Sequence, residues 1–327
     1  MTAPQGSGRP IPLDALRAAA ATIAGTAERT PVLRHPSLDP PDGATYCKAE
    51  LLQRAGAFKF RGAFNRLSHI PAADRSRGVV AVSSGNHGAA VACAASLLGI
   101  PATVFIPSDA PAAKRALIER FGATIVTFER SVPDREAAAR ELAARTGATF
   151  VHPFEDPLVM AGQGTAALEL IEEVGPLDAL VVPMSGGGLM AGCASAAHAL
   201  APDCVLVGVE PELADDTRRS FLAGERVAIA NPPTIADGLA VTMPGERTFA
   251  INRRLVSDVV TVTEDEIVAA MVRFRECFGL LAEPSGVVGL AALALDPERW
   301  RGRRVGVVVS GGNIDAARFE TLARRLG

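Results

Sequence analysis

Lys59 stands between Phe58 and Phe60 in "LLQRAGAFKFRGAFNRL" (residues 51–67), with Gly56 and Gly62 close by. The chain has only three lysines, Lys48, Lys59 and Lys114, although Lys and Arg together number 33. A sequence that writes its surface cations as arginine has kept an amine in an apolar, tightly turning stretch. Apolar surroundings lower a lysine's pKa and make its amine a usable nucleophile toward a carbonyl. A second kind of feature occurs three times, as "SSGNHG" (83–88), "SGGGL" (185–189) and "SGGNID" (310–315). Each is a Ser/Gly loop placed to join a strand to a helix. Such a loop exposes unsatisfied N–H groups at the positive end of the helix dipole, a geometry that binds anions. A phosphate loop, a buried lysine and a small-molecule cleft together point to pyridoxal phosphate held by Lys59 as a Schiff base.

One rival reading comes from another class. In "SGGGLMAG", Gly186, Gly188 and Ala191 fit the dinucleotide fingerprint, and Glu210 ends a strand about 20 residues later, where a ribose-binding carboxylate belongs. That would be an NAD-dependent dehydrogenase. It leaves Lys59, Asn86 and "SGGNID" without a role.

The elements that must position these residues are legible as an alternation. Strand candidates are 78–84, 102–107, 124–129, 179–185, 205–210 and 305–311, all continuously apolar, as in strands covered on both faces. Helix candidates lie near 87–99, 111–121, 134–146, 158–173, 189–200 and 314–326. This order predicts an α/β fold with mostly parallel sheets. In such sheets the loops gather at the C-terminal edge, where ligands bind. Residues 217–240 read as an irregular connection, and the first 12 as a loose arm.

The bulk numbers set limits. A chain of 327 residues that is 48% hydrophobic has a large core and room for about two domains. A net charge of -3 gives no basic footprint for nucleic acid. No apolar core follows a basic start at the N-terminus, so no secretion signal is read. Cysteines at 47, 93, 193, 204 and 277 form no CxxC pair and fit reduced thiols in a cytoplasmic protein. Two uncharged stretches, 88–108 and 179–202, approach membrane-span length, but prolines break both, so no membrane span is expected.

The motifs "KAELLQRAGAFKFRGA" (48–63), "SSGNHG", "HPFEDPLVMAGQGT" (152–165), "SGGGL", "GVEPELADD" (208–216), "EPSG" (283–286) and "SGGNID" occur in the order known for one family. From about residue 30 onward the chain resembles the fold-type II pyridoxal-phosphate enzymes, which share a tryptophan synthase β-like fold. Within them it resembles the serine/threonine dehydratase, serine racemase and threo-3-hydroxyaspartate dehydratase branch. The resemblance implies two open, mostly parallel sheet domains with the cofactor between them: a large one from residues 1–77 and 152–327, and a small one from 78–151. It implies a homodimer as well.

The resemblance also implies roles. Lys59 would carry the cofactor and shuttle the Cα proton, with Phe58 against the pyridine ring and Asn86 on the phenolic oxygen. Ser185, Gly186, Gly187, Gly188 and Leu189 would cradle the phosphate. Glu283 would orient the cofactor, and Ser310 would meet the pyridine nitrogen and leave it largely unprotonated, which favours prompt β-elimination. Ser84 would face Lys59 across the cofactor as a second acid/base group, the arrangement racemisation needs. Ser83, Ser84, Asn86, His87 and Arg135 would hold the substrate carboxylate. Glu210, the Ala214 carbonyl and Asp216 would bind Mg²⁺ or Ca²⁺, which suits their hard oxygen ligands.

Two departures stand out. The family's Ser-Phe-Lys is Ala57-Phe58-Lys59 here, and Val241-Thr242 stands where racemases often offer a serine. The activity implied is dehydration of a β-hydroxy amino acid, such as L-serine or L-threonine, to a 2-oxo acid and ammonia. Serine racemisation with a dehydratase side activity and threo-3-hydroxyaspartate dehydration are the alternatives. β-Replacement is disfavoured by the Lys48/Glu50/Gln53 spacing. The sequence leaves the β-substituent open.

Overall fold

The computed structural model describes residues 8–110, 112–129 and 136–326. Among them ten strands form two sheets. The strands are β1 (Val32–Leu33), β2 (Ala44–Lys48), β3 (Val79–Val82), β4 (Ala102–Pro107), β5 (Thr124–Phe128), β6 (Thr149–Phe150), β7 (Ala179–Pro183), β8 (Val205–Pro211), β9 (Asp258–Val262) and β10 (Arg304–Val308). The longer helices are α1 (Leu13–Ile23), α2 (Lys59–Ser68), α3 (Asn86–Leu98), α4 (Ala112–Glu119), α5 (Ala137–Thr146), α6 (Pro157–Val174), α7 (Gly188–Leu200), α8 (Asp216–Ala223), α9 (Glu246–Leu255), α10 (Glu264–Phe278), α11 (Pro284–Leu295) and α12 (Ala316–Ala323).

The six-stranded sheet has the order β1-β2-β10-β7-β8-β9 and the four-stranded sheet the order β5-β4-β3-β6. Every pairing is parallel except β1 with β2. The chain leaves the larger sheet after β2, builds the smaller one from β3 to β6, and returns at β7. The apolar runs become strands covered on both faces. On one face of the larger sheet Val181, Val207 and Val307 pack with Phe274 of α10 and Val287 of α11. On the other, Leu180, Val182 and Leu206 pack with Leu170 of α6 and Cys193 of α7. Truncating Phe274 in such a core costs on the order of 3–5 kcal/mol.

The six expected strands and six expected helices all form, mostly with ends shifted by one to three residues. Residues 134 and 135, at the start of one expected helix, lie outside the described residues. Several elements were not anticipated. β1, β2, β6 and β9 are short or carry polar residues, and α1, α2 and α8 to α11 have no counterpart among the expected helices. The segment 217–240 begins as a helix, α8, before turning irregular. The expected loose arm is corrected for residues 8–12. The Ile11 N–H donates to Ser195 Oγ at 2.9 Å, and the Cα of Gly8 sits against the Ala250 carbonyl.

A buried ion network fixes α2. Arg61 has no solvent exposure; its Nε donates to Glu50 at 2.7 Å and its Nη1 to Glu169 at 2.7 Å. Lys48 donates to the other Glu169 oxygen at 2.7 Å and to the Thr30 carbonyl at 2.6 Å. Two cations face two carboxylates, so the network is neutral. Removing one partner of such a set costs on the order of 3–5 kcal/mol, because the other charge is left buried and unpaired.

Candidate active site

Four strand ends of the larger and smaller sheets deliver the site. β2 leads to Glu50 and the 51–58 turn, β3 to the 83–88 loop, β7 to the 184–188 loop and β10 to the 309–315 loop.

The turn before Lys59 is strapped to the last of these. The Phe58 N–H donates to the Ser310 carbonyl at 3.0 Å, and Ala57 forms a bridge with Gly311. Ala55 has φ 56°, a conformation unfavourable for any residue with a Cβ, and Asn313 Nδ2 holds its carbonyl at 2.8 Å. Gly56 follows at φ 74°, and a Cβ there would lie 2.2 Å from Asn313 Oδ1. Lys59 then opens α2. Its accessible surface makes it half-buried, yet its amine lies deep among protein atoms. Burial pushes its pKa from 10.5 down to about 8. Nζ donates to the Pro153 carbonyl at 2.9 Å and lies 5.1 Å from the Phe58 ring centroid.

The glycine loop at 185–189 is held by its carbonyls. Ser185 O accepts from Thr217 Oγ1 at 3.2 Å, Gly186 O from Thr248 Oγ1 at 2.5 Å, and Gly187 O from Asn252 Nδ2 at 3.1 Å. A peptide unit is planar and trans, so its N–H points opposite to its C=O. Fixing three carbonyls on one side therefore aims the N–H groups of Gly186, Gly187 and Gly188 to the other. The Ala191 N–H bonds to the Gly187 carbonyl at 2.8 Å, so the amides before it precede the helical ladder of α7. The loop needs glycine. Gly187 has φ 92°, and a Cβ on Gly186 would lie 2.4 Å from the Phe154 ring.

Across the cleft, Asn86 is the first residue of α3. Its Nδ2 donates to Glu283 Oε1 at 2.6 Å, and its Oδ1 accepts from Asn313 Nδ2 at 2.8 Å. Burial raises the pKa of Glu283, against the Asn86 hydrogen bond. Ser310 is buried, with Oγ 3.5 Å from the Ser285 carbonyl. Ser83 Oγ accepts from the Gly85 N–H at 3.2 Å, and Ser84 is partly exposed beside it. His87 is buried, with Nε2 2.9 Å from the Val151 carbonyl. Burial, aided by the charge of Lys59, pushes its pKa down to about 3. His87 is therefore a neutral ring directed at the backbone. Arg135 lies outside the described residues.

Glu210 and Asp216 are both fully buried. Glu210 accepts from the Thr217 and Arg218 N–H groups at 3.2 and 2.8 Å, and this directs it into the acidic turn. A ribose-binding role for Glu210, which the dinucleotide reading required, has no support in that placement. Burial raises its pKa well above the carboxylate range, and Asp216 adds to the shift. Burial likewise raises Asp216 to about 7, and neither of its oxygens has a hydrogen-bond partner. Two buried carboxylates, one wholly unpartnered, fit a hard cation with the Ala214 carbonyl alongside. Among the described residues no cluster of three or more His, Cys, Asp or Glu is placed to hold a metal.

The residues present fit pyridoxal phosphate: an amine with lowered pKa, an amide cradle that excludes side chains, and an Asn/Glu pair facing them. Thr217, Thr248, Asn252, Asn313, Pro153 and Gln163 were not anticipated. "HPFEDPLVMAGQGT" and "SGGNID" carried the signal for three of them, as motifs without assigned roles.

Comparison with known proteins agrees. The chain is 48% identical over 307 residues to an L-threo-3-hydroxyaspartate ammonia-lyase from Pseudomonas sp, covering 94% of this chain and 96% of that one. It is 42% identical to a serine racemase from Schizosaccharomyces pombe, covering 94% and 95%. The structure of maize serine racemase superposes with a TM-score of 0.90 at 38% identity, covering 97% and 98%. The family model described as "Pyridoxal-phosphate dependent enzyme" matches residues 23–311, so the amine, the amide cradle and the parallel-sheet scaffold are those of a chain that belongs to the pyridoxal-phosphate dependent enzymes.

Proposed function

We propose that the protein eliminates water from a β-hydroxy amino acid and releases a 2-oxo acid and ammonia. The observation that carries this is the Lys59 amine. With a pKa near 8 and a backbone carbonyl at 2.9 Å, it exists partly as a neutral base close to physiological pH. When bound, pyridoxal phosphate supplies the electron sink that makes a substrate's Cα–H acidic. Lys59 takes the proton from Cα, and the β-hydroxyl leaves as water once it is protonated. The amides of Gly186, Gly187, Gly188 and Leu189, with Ser185, hold the phosphate. Phe58 packs against the ring. Asn86, oriented by Glu283 and Asn313, would hold the phenolic oxygen, and Ser310 would meet the ring nitrogen.

Ser83, Ser84 and Asn86 offer hydroxyl, amide and backbone donors to the substrate carboxylate, and His87 packs behind them as a neutral ring. Threo-3-hydroxyaspartate comes first among candidate substrates, because the Pseudomonas relative of that name is 48% identical over nearly both lengths. L-Serine and L-threonine follow. A second reading, serine racemisation, is favoured by Ser84, which is partly exposed in the 83–88 loop and would serve as a second acid/base group. Val241-Thr242 speaks against it.

Glu210, Ala214 and Asp216 are proposed to hold Mg²⁺ or Ca²⁺, and the active form is proposed to be a homodimer. All five cysteines are free, which supports a reducing compartment such as the cytoplasm. No helix among the described residues is long and apolar enough to cross a membrane.

The test is proton NMR in D₂O of the purified protein with cofactor and Mg²⁺. It is offered L-threo-3-hydroxyaspartate, L-serine and L-threonine separately. A 2-oxo acid signal is expected, and the fastest substrate names the activity. Loss of the Cα–H signal without a 2-oxo acid would show deprotonation without elimination, and inverted configuration on chiral analysis of that sample would replace elimination by racemisation.

A further inference from the structure

The Pro153 carbonyl receives two donors. Lys59 Nζ lies at 2.9 Å and Gln163 Nε2 at 3.4 Å. Gln163 has no solvent exposure, and its Oε1 has no partner. That oxygen lies 2.9 Å from where a Cβ would stand on Gly188, at the cradle's helix N-terminus. The amide is not reversed. With Oε1 toward Pro153, two carbonyl dipoles would face each other and the glutamine's hydrogen bond would be lost.

The backbone around Gln163 has little freedom to drift. A Cβ on Gly162 would lie 2.5 Å from the Arg61 carbonyl of α2, and one on Gly164 would lie 2.7 Å from the Gly192 carbonyl of α7. Helix α6 thus touches the lysine helix and the phosphate helix backbone to backbone. Gln163 sits between those two contacts and spans from the lysine's acceptor to the cradle.

We propose that Gln163 is a positioning residue for Lys59: its amide shares the Pro153 carbonyl with the lysine and takes that carbonyl over when the lysine is drawn to the cofactor. A carbonyl has two lone pairs and accepts both donors at once. While the amine occupies its short bond, the amide stays long. When the amine leaves, this half-buried carbonyl loses its main donor. The amide can close the remaining distance by a side-chain adjustment alone. When the amine is released again, the same carbonyl receives it on a fixed bearing. The inference rests on Lys59 as the cofactor lysine.

The experiment compares two ligands of the apoenzyme. Pyridoxal phosphate captures the lysine amine. Pyridoxamine phosphate fills the same cradle and leaves the amine on Pro153. The variant is Gln163→Met, unbranched and similar in length, with Gln163→Leu as a second in case the first misfolds. Dissociation constants are read by fluorescence titration, and covalent capture by borohydride reduction and peptide mapping. For pyridoxal phosphate the expected weakening is about fivefold, the size of one hydrogen bond lost at a half-buried carbonyl. Pyridoxamine phosphate should bind within about twofold of wild type, since its cradle is intact and its binding leaves the lysine bond in place. Equal weakening for both ligands would reduce Gln163 to part of the cradle and overturn the proposal. So would no weakening for either. If wild type binds both ligands but gives no reducible adduct at Lys59, the cofactor-lysine assignment itself fails, and this inference falls with it.

Discussion

Asn86 Nδ2 and Glu283 Oε1 meet at 2.6 Å, joining the first turn after β3 of the smaller sheet to the residue before α11 on the larger one. Asn313 holds the other end of the same amide at 2.8 Å, so both polar atoms of Asn86 are engaged and its orientation is fixed. Glu283→Ala should leave Nδ2 without its acceptor and weaken pyridoxal-phosphate binding about tenfold. Glu283→Gln keeps an accepting oxygen and should stay within about threefold of wild type. Titration of the apoenzyme with cofactor checks both. An alanine variant that binds as tightly as wild type would remove the orienting role.

Ser84 separates the two reactions the site supports. Its hydroxyl is also one of the donors proposed for the substrate carboxylate, so Ser84→Ala should raise KM for elimination from the L-substrate by up to about tenfold and leave kcat within a few-fold. Any interconversion of serine enantiomers should fall by about 10² or more, the usual worth of a positioned acid/base group. Chiral chromatography of reaction mixtures reads both rates. Racemisation surviving in the variant would assign the second face to another group.

The buried Glu210–Asp216 pair predicts a stabilising cation. Mg²⁺ or Ca²⁺ at roughly a hundredfold above its Kd should add about 3 kcal/mol to the folded state and raise Tm by several degrees over chelated protein. Asp216→Asn should lose that cation response. In chelator the variant should melt no lower than wild type, since the buried carboxylate that has no hydrogen-bond partner is gone. Differential scanning fluorimetry in each condition decides it.

His87 makes stability fall in acid. Its folded pKa, about 3, lies below the ordinary 6.5, with burial as the main cause and the charges of Lys59 and His152 as lesser ones. The unfolded chain therefore takes up a proton as pH drops through 6.5 while the folded chain does not. The stability is fully present above about pH 6.5 and is lost progressively down to about 3. Between pH 7.5 and 5 the share lost through His87 is about 2 kcal/mol. Urea denaturation at both pH values should show that loss shrinking by about this amount in His87→Gln. An unchanged pH dependence would mean that the ring is protonated in the folded protein.

Much of the site was visible in one dimension because its parts are local. A strand, a Ser/Gly loop and a helix start are contiguous residues, so "SSGNHG", "SGGGL" and "SGGNID" could be read as anion loops directly. The scarcity of lysine marked Lys59 in the same way. Continuous apolar runs announced strands buried on both faces, and these formed the parallel sheets. β2 and β9 escaped because they are short and carry Thr, Tyr or Asp. α9 escaped because the segment around it mixes polar and apolar residues, whereas α10 carries a local start signal, the Thr263–Glu266 capping box.

What the tertiary structure alone decided is how the loops face one another. The carbonyls of Ser185, Gly186 and Gly187 are fixed by Thr217, Thr248 and Asn252, from 32 to 65 positions away in the chain. Pro153, 94 positions from Lys59, takes its amine. Asn86 finds Glu283 and Asn313 about two hundred positions on. These are single hydrogen bonds between side chains and distant backbone or side-chain atoms. They leave no periodicity or local composition to read, because their geometry exists only once distant segments of the chain have packed together.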